Sequence, residues 1–143
     1  MIVYFDTSAV LPIVFEEPSS AVASRLWDEA DRVVSSRLVY VEGRAALAMA
    51  RRLARLDERQ LRTAVDGFEA LHEQLDLVEI TQSLVGEAGA LAEQFGLRGY
   101  DAIHLASARL VNDPEVVLAA GDQSLLGAAK AAGMATADLN VRS

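Results

Sequence analysis

The chain has 143 residues, 52% of them hydrophobic, and a formal net charge of −8; this length predicts one domain over residues 1–143. The acidic balance argues against a protein that coats nucleic acid, and no stretch approaches the ~18 uninterrupted apolar residues of a membrane span. The lack of cysteine excludes disulfides and thiolate metal sites, and with no basic leader before the first apolar run it favours a cytoplasmic protein without a signal peptide.

The chain opens with a short apolar run, residues 2–5, that ends abruptly in the carboxylate of Asp6. A β-branched and aromatic run without polar alternation predicts a central parallel strand covered by helices on both faces. Ligands of open α/β sheets lie outside the carboxyl ends of the strands, so Asp6 lies where chemistry is expected. Its alternative role is to cap the following helix, since Asp is a favoured N-cap residue.

Short apolar runs and longer stretches of helical period alternate along the rest of the chain. We predict further strands at residues 32–36, 76–80, 116–120 and, with a weaker pattern, 134–139. Helices are predicted at residues 9–15, with Pro12 in the first turn, and at 18–30, 37–56, 58–75, 82–95, 99–108 and 123–132. This alternation predicts an α/β fold, a three-layer α/β/α sandwich with a central parallel sheet of about five strands.

Four acidic residues fall where this fold would bring them to one edge of the sheet. Asp6 comes after the first strand and Asp122 after the fourth, and Glu42 lies near the start of the third helix. Asp101 lies in the first turn of a buried helix, where its charge suits the helix dipole but is costly to desolvate without a partner. Taken singly, each has a structural alternative: two caps, a dipole partner and a solvated charge.

Taken together, the four carboxylates suit a hard cation. Mg²⁺ and Mn²⁺ prefer oxygen ligands and keep water molecules for the substrate. Such ions can generate hydroxide and stabilise the oxygens of an in-line phosphoryl displacement. The sequence therefore predicts a divalent metal site.

Four segments, in the same order, resemble those of PIN domains, most closely the VapC-type toxin ribonucleases of bacterial toxin–antitoxin pairs. They are F-D-T-S-A at 5–9, Glu42 after S-R-L-V at 36–39, Y-D-A-I-H-L-A-S-A at 100–108, and G-D-Q-S-L-L at 121–126 followed by an Ala-rich helix and Gly133. The D-T-S opening is a weak signal by itself, whereas the segment at 100–108 is fairly specific. The likeness covers nearly the whole chain.

The resemblance implies a metal-dependent endoribonuclease that leaves a 5′-phosphate and a 3′-hydroxyl. It implies that Asp6, Glu42, Asp101 and Asp122 are catalytic and hold Mg²⁺ or Mn²⁺, with Ser8 as a polar neighbour. Such toxins often place Thr or Ser two residues before the last Asp, where this chain has Ala120. Asp122 is therefore the least secure of the four metal residues, and both direct contact with the metal and contact through water stay open for it. The resemblance also implies a cognate antitoxin protein and a homodimer.

The two histidines receive structural interpretations. His104 lies one helical turn beyond Asp101, so the two could share a metal. A histidine inside an otherwise apolar helix is more often a satisfied structural group, and the resembling family does not use this one as a ligand. We therefore expect His104 to be structural and His72, on a surface-type helix, to be solvated.

Basic residues cluster around the turn between the third and fourth helices. They are Arg51, Arg52, Arg55, Arg59 and Arg62, with Arg44 near Glu42. Such a cluster could hold RNA phosphates beside the acidic site or form a solvated face with Glu/Arg pairs. We assign RNA binding to Arg44, Arg51, Arg52 and Arg55.

Other protein classes fit the sequence less well. A haloacid-dehalogenase-like phosphatase needs a second Asp two residues after the first, where this chain has Ser8. A response-regulator receiver needs a Lys at the end of a late strand, but Lys130 is predicted to lie in a helix. A catalytically silent PIN-fold interaction domain is the remaining alternative, and the intact carboxylates argue against it.

Overall fold

Five parallel strands form one sheet at the centre of the computed structural model, which describes residues 1–111 and 113–140. The strands are β1 Ile2–Phe5, β2 Arg32–Ser36, β3 Asp76–Val78, β4 Val116–Ala120 and β5 Ala135–Asp138. Their order across the sheet is β3-β2-β1-β4-β5, and every neighbouring pair is parallel. The apolar first strand is therefore the central one, as its sequence predicts.

Seven helices in the described residues cover the two faces of this sheet. One face carries α1 Thr7–Val14, α2 Ser20–Glu29, α3 Val39–Arg52 and α4 Glu58–Gln74, and the other carries α5 Gln82–Phe95, α6 Gly99–Leu110 and α7 Gln123–Ala131. The predicted three-layer α/β/α sandwich is thus confirmed. None of these helices is both long enough and apolar enough to cross a membrane.

The side chains of β1 alternate between two hydrophobic cores. Val3 and Phe5 lie in the core that includes Phe68 of α4, whereas Tyr4 lies in the core that includes Leu105 of α6. All five side chains are fully buried. Burial of one such apolar side chain contributes about 1.5–3 kcal/mol. The strand that carries Asp6 is therefore held from both sides.

Three predicted helix ends are confirmed by their hydrogen bonds or backbone angles. Asp57 caps α4, accepting from the Gln60 amide at 2.8 Å while the Gln60 side chain accepts from the Asp57 amide at 2.8 Å. The Thr81 hydroxyl accepts from the Leu84 amide at 3.2 Å at the start of α5. Gly96 ends α5 with a φ of 66°, a left-handed conformation that glycine adopts without a steric penalty.

Three predicted boundaries are wrong. The helix predicted at 37–56 spans only Val39–Arg52: the Leu38 amide donates to the Ser36 hydroxyl in a turn before it, and Ala54 takes a positive φ of 58° after it. The third strand ends at Val78 and not at residue 80, because Val78 pairs with Ser36, the last residue of β2. Since α1 begins at Thr7, Pro12 lies in its second turn and not its first.

The expectation that His72 is solvated is also wrong. The side chain is half-buried and packs against Tyr40, with ring centroids 5.0 Å apart, and against Phe68. Its Nε2 is buried and has no hydrogen-bond partner within the described part of the chain. The residue belongs to the contact between α3 and α4, which the charged sequence around it does not reveal.

Candidate active site

Asp6 lies between β1 and α1 as the N-cap of the helix, and its two carboxylate oxygens have different partners. Oδ2 caps the helix, accepting from the Ser8 amide at 3.3 Å and the Ser8 hydroxyl at 2.6 Å. Oδ1 lies 3.3 Å from Nε2 of His104. Asp6 is buried, with 5% of its surface exposed. The capping role and a place in the site are therefore compatible, because each uses a different oxygen.

Glu42 lies in the first turn of α3, and its carboxylate, like that of Asp6, contacts His104. Its Oε1 accepts a hydrogen bond from the Thr7 hydroxyl at 2.7 Å and lies 2.6 Å from Nε2 of His104. Partial burial acts to raise the pKa of Glu42, but the His104 and Thr7 hydrogen bonds outweigh it and lower the pKa. Glu42 is therefore held as a carboxylate.

His104 is fully buried on α6 and links the central strand to both carboxylates. Its Nδ1 lies 2.8 Å from the Tyr4 hydroxyl, and its Nε2 faces Glu42 and Asp6. Because Nε2 approaches carboxylate oxygens, which can only accept, that nitrogen carries a proton and is the hydrogen-bond donor. Burial acts to lower the pKa of His104, but the Glu42 hydrogen bond and the charge of Asp6 raise it.

Asp101 and Asp122 meet at a single arginine. Arg98 precedes α6, and its Nε donates to Oδ2 of Asp101 at 3.2 Å while its Nη2 donates to Oδ2 of Asp122 at 3.0 Å. Burial and the charge of Asp122 raise the pKa of Asp101, against the effect of Arg98. The other oxygen of Asp122, Oδ1, accepts from the Leu125 amide at 3.1 Å and so caps α7.

Ser8 connects the carboxyl ends of β1 and β4. Its hydroxyl donates to Asp6 and accepts from the Gly121 amide at 2.9 Å. The Gly121 carbonyl in turn accepts from the side chain of Asn140 at 2.8 Å. The polar neighbour predicted at this position thus contacts Asp6 directly and fixes the loop that leads to Asp122.

The four predicted carboxylates therefore lie at one edge of the sheet, in two linked pairs. His104 lies between Asp6 and Glu42, and Arg98 lies between Asp101 and Asp122. In residues 1–111 and 113–140, no three acidic or histidine side chains are grouped closely enough to hold a metal ion. The donors are nevertheless all carboxylate oxygens, and burial together with the charge of Asp122 raises the pKa of Asp101. The donor chemistry fits a hard divalent cation.

The predicted RNA-binding arginines lie away from this edge. Arg44 follows Glu42 by two residues, a spacing that does not share a helix face, and its Nη1 donates to Glu69 at 3.1 Å. Arg51 lies nine residues beyond Glu42, about 14 Å along the axis of α3, and pairs with Glu58. Two further cluster members are also paired, Arg55 with Glu17 and Arg62 with Glu58.

Three contacts of the site were not assigned from the sequence. Thr7 and Arg98 received no role, although Thr7 follows Asp6 directly and Arg98 lies three residues before Asp101. His104 is buried and hydrogen-bonded, as the structural interpretation requires, but its partners include Asp6 and Glu42. Its spacing from Asp101 gave no indication of these partners, because they come from β1 and α3.

Known proteins resemble the chain over nearly its whole length. The family model described as PIN domain matches residues 3–131. Ribonuclease VapC49 of Mycobacterium tuberculosis (strain ATCC 25618 / H37Rv) is 46% identical over 132 residues, which cover 92% of each chain. The crystal structure of PAE2754 from Pyrobaculum aerophilum has a TM-score of 0.71 at 22% identity, covering 95% of this chain and 92% of that one. A toxin–antitoxin complex from Klebsiella pneumoniae has a TM-score of 0.59 at 18% identity, covering 84% and 86%.

Proposed function

This chain belongs to the PIN domain family, and we propose that it is a ribonuclease toxin that cleaves RNA phosphodiester bonds. The observation that carries the proposal is the meeting of Asp6, Glu42, Asp101 and Asp122 at the carboxyl edge of the sheet, linked by His104 and Arg98. The relative named Ribonuclease VapC49, at 46% identity, supports the same activity. These four residues are the proposed catalytic residues.

These four carboxylates would hold Mg²⁺ or Mn²⁺. When bound, such an ion supplies a Lewis acid that activates water and offsets the charge of the phosphate oxygens. The hydrogen bonds from Thr7 and His104 keep Glu42 ionised, the form that binds a cation. Ser8 orients Asp6 from the other side.

Arg98 would act at the entrance of the site. Its side chain is 79% exposed and, without a metal, offsets the charges of Asp101 and Asp122. A cation among the carboxylates would compete with the guanidinium for the same oxygens. Arg98 would then be free to bind a phosphate of the RNA, for which its planar fork of donors is well suited.

The arginines of α3 and the following turn are proposed to bind RNA phosphates farther along the strand. The side chains of Arg44, Arg51 and Arg55 are between 43% and 54% exposed. Arg52 is also exposed and contacts Met49 on its own helix. The partners Glu69 and Glu58 are exposed and Glu17, the partner of Arg55, is partly exposed, so these ion pairs are weak and an RNA phosphate can replace them.

The protein is further proposed to form a homodimer and to be neutralised by an antitoxin protein. The similar fold found in a toxin–antitoxin complex supports an antitoxin partner. Exposed apolar side chains, such as Val41, Met49 and Leu53 on or just after α3, provide area for such contacts. A toxin that cuts cellular RNA acts where that RNA is, so the proposed location is the cytoplasm.

Mapping the ends of the cleavage products tests this proposal. The purified protein is incubated with total bacterial RNA and Mg²⁺, with and without the product of a neighbouring small reading frame. We expect fragments whose 5′-phosphates can be ligated directly to an adaptor, and their loss when the antitoxin is added. Fragments that form equally without added protein, or only 2′,3′-cyclic phosphate ends, would contradict the proposal.

A further inference from the structure

An apolar groove extends from the acidic site between α5 and α6. It has a volume of about 760 Å³, and Glu42, Arg98 and Asp101 line one end of it. Such a volume falls within the range of roughly 300–1,000 Å³ for pockets that bind small molecules. The groove is therefore continuous with the proposed catalytic carboxylates and large enough for one nucleoside.

The remaining walls of the groove carry few polar groups. α5 contributes Ala88, Gly89, Ala92 and the half-exposed Val85. A Cβ at Gly89 would meet no heavy atom within 4 Å, so the groove is open at this position. From α6, Tyr100 lines the groove directly before Asp101, and 66% of its surface is exposed.

We propose that this groove binds one unstacked base of the substrate RNA, next to the cleaved phosphodiester, with Tyr100 as the stacking ring. The inference rests on the proposed ribonuclease function. A phosphate in the apolar part would lose its hydration without gaining a partner. A base, in contrast, has a flat apolar face that stacks on aromatic side chains, as in the recognition of single-stranded RNA. When the phosphodiester lies at the carboxylate end, the base next to it can enter the groove.

Two glycines of α5 supply a matched pair of variants. Gly89→Leu should fill the groove, whereas Gly86→Leu adds the same side chain on the same helix at a position that does not line it. Neither new Cβ meets a heavy atom within 4 Å, so both variants should fold. Tyr100→Ala removes the proposed stacking ring, and Tyr100→Phe keeps it.

Steady-state cleavage of RNA by these four variants is the deciding measurement. We expect Gly89→Leu and Tyr100→Ala to raise KM at least about fivefold, since base–aromatic stacking contributes about 1–3 kcal/mol per base and each 1.4 kcal/mol is a factor of ten. Gly86→Leu should keep the wild-type KM, and Tyr100→Phe, which retains a stacking ring, should raise KM less than Tyr100→Ala. If Gly89→Leu and Gly86→Leu cleave RNA alike, or if Gly89→Leu impairs only antitoxin binding or dimerisation, the base site is excluded.

Titration with free nucleosides separates this inference from the ribonuclease function itself. Adenosine and uridine, but not ribose, should shift the amide NMR signals of Val85, Ala92 and Ile103 in the wild type and not in Gly89→Leu. If these shifts occur but the wild-type protein cleaves no RNA, the base site stands and the proposed function fails. If RNA is cleaved but neither nucleosides nor variants have these effects, the base site fails and the function stands.

Discussion

Nε2 of His104 donates to Oε1 of Glu42 across 2.6 Å, although the imidazole is fully buried. A buried histidine is ordinarily neutral, because burial disfavours the charged ring. Here the Glu42 hydrogen bond and the charge of Asp6 outweigh burial and raise the pKa of His104. The carboxylate and the imidazole therefore stabilise each other's charged forms.

The metal-free protein should lose stability as pH rises through the raised pKa of His104. A group whose pKa is higher in the folded state binds its proton more tightly there, so its contribution is complete below the unfolded value of about 6.5. That contribution disappears as pH rises through the folded-state value. Urea unfolding in EDTA at a series of pH values should show this loss in the wild type and a flatter curve in His104→Gln.

The second histidine provides the control for that experiment. His72→Gln removes a ring that packs against Tyr40 and Phe68 and leaves the His104–Glu42 hydrogen bond in place. This variant should therefore still lose stability as pH rises through the raised pKa of His104. Parallel curves for the wild type and His104→Gln would show that His104 is not the group responsible.

Asp101→Asn should separate a metal site from a structural role. Burial and the charge of Asp122 raise the pKa of Asp101, so its ionised form costs stability once pH exceeds the unfolded value of about 3.9. The neutral variant should therefore be no less stable than the wild type at pH 7 without metal. At an Mn²⁺ concentration of a hundred times Kd, the wild type should gain about 2.7 kcal/mol, and the variant clearly less.

Melting curves with and without Mn²⁺ check both parts of that expectation. Asp57→Asn is the matched control, since Asp57 caps α4 and Asn caps equally well. It should keep the wild-type melting temperature and the full Mn²⁺ shift. If Asp101→Asn instead loses about 0.5–2 kcal/mol and keeps the Mn²⁺ shift, Asp101 is only a first-turn partner of the helix dipole.

Arg98→Gln should bind Mn²⁺ several-fold more tightly than the wild type. The guanidinium donates to Oδ2 of both Asp101 and Asp122, so a metal ion must compete with it for these oxygens. Arg109→Gln, in the last turn of α6 and paired with Glu87, should leave the affinity unchanged. Isothermal titration calorimetry measures both. Weaker Mn²⁺ binding by Arg98→Gln would mean that the arginine supports the metal site and does not compete with it.

Replacing Arg51, Arg52 and Arg55 together should weaken RNA binding by the same factor across sequences. Phosphate contacts carry no sequence information, and each contributes about 0.7 to the slope of log affinity against log salt for a single strand. The slope should therefore become shallower by up to about 2. Arg32→Gln at the start of β2, where Arg32 pairs with Asp76, is the control. An unchanged slope in the triple variant would assign the cluster to solvated surface or to a partner.

Much of the fold could be predicted because local patterns and tertiary burial agree. The apolar run of β1 predicts a strand that is covered on both faces, and the side chains of Val3, Tyr4 and Phe5 are indeed fully buried. β2 and β4 occupy the predicted residues 32–36 and 116–120. The errors occur where pairing with a distant segment determines the end of an element. For example, β3 ends at Val78 because its partner β2 ends at Ser36.

The candidate site could be predicted only in part. Strand ends meet at one edge of a parallel sheet, so the proximity of Asp6 and Asp122 follows from topology. The contacts of His104 depend on the position of α6 relative to β1 and to the start of α3, and no local spacing encodes that position. Arg44 shows the converse. It is close to Glu42 in sequence, but residues two apart lie on different faces of a helix, and the Arg44 side chain contacts Glu69 instead.

RNA cleavage by the wild type, Glu42→Gln and Asp57→Asn, in Mg²⁺ and in EDTA, tests the central claim most directly. In Mg²⁺ we expect the wild type and Asp57→Asn to cleave at the same rate. Glu42→Gln should be slower by about 100-fold or more, the cost of losing one preorganised electrostatic contact. EDTA should stop all three. Wild-type cleavage that continues in EDTA, or that Glu42→Gln matches in Mg²⁺, would contradict a ribonuclease built on these carboxylates.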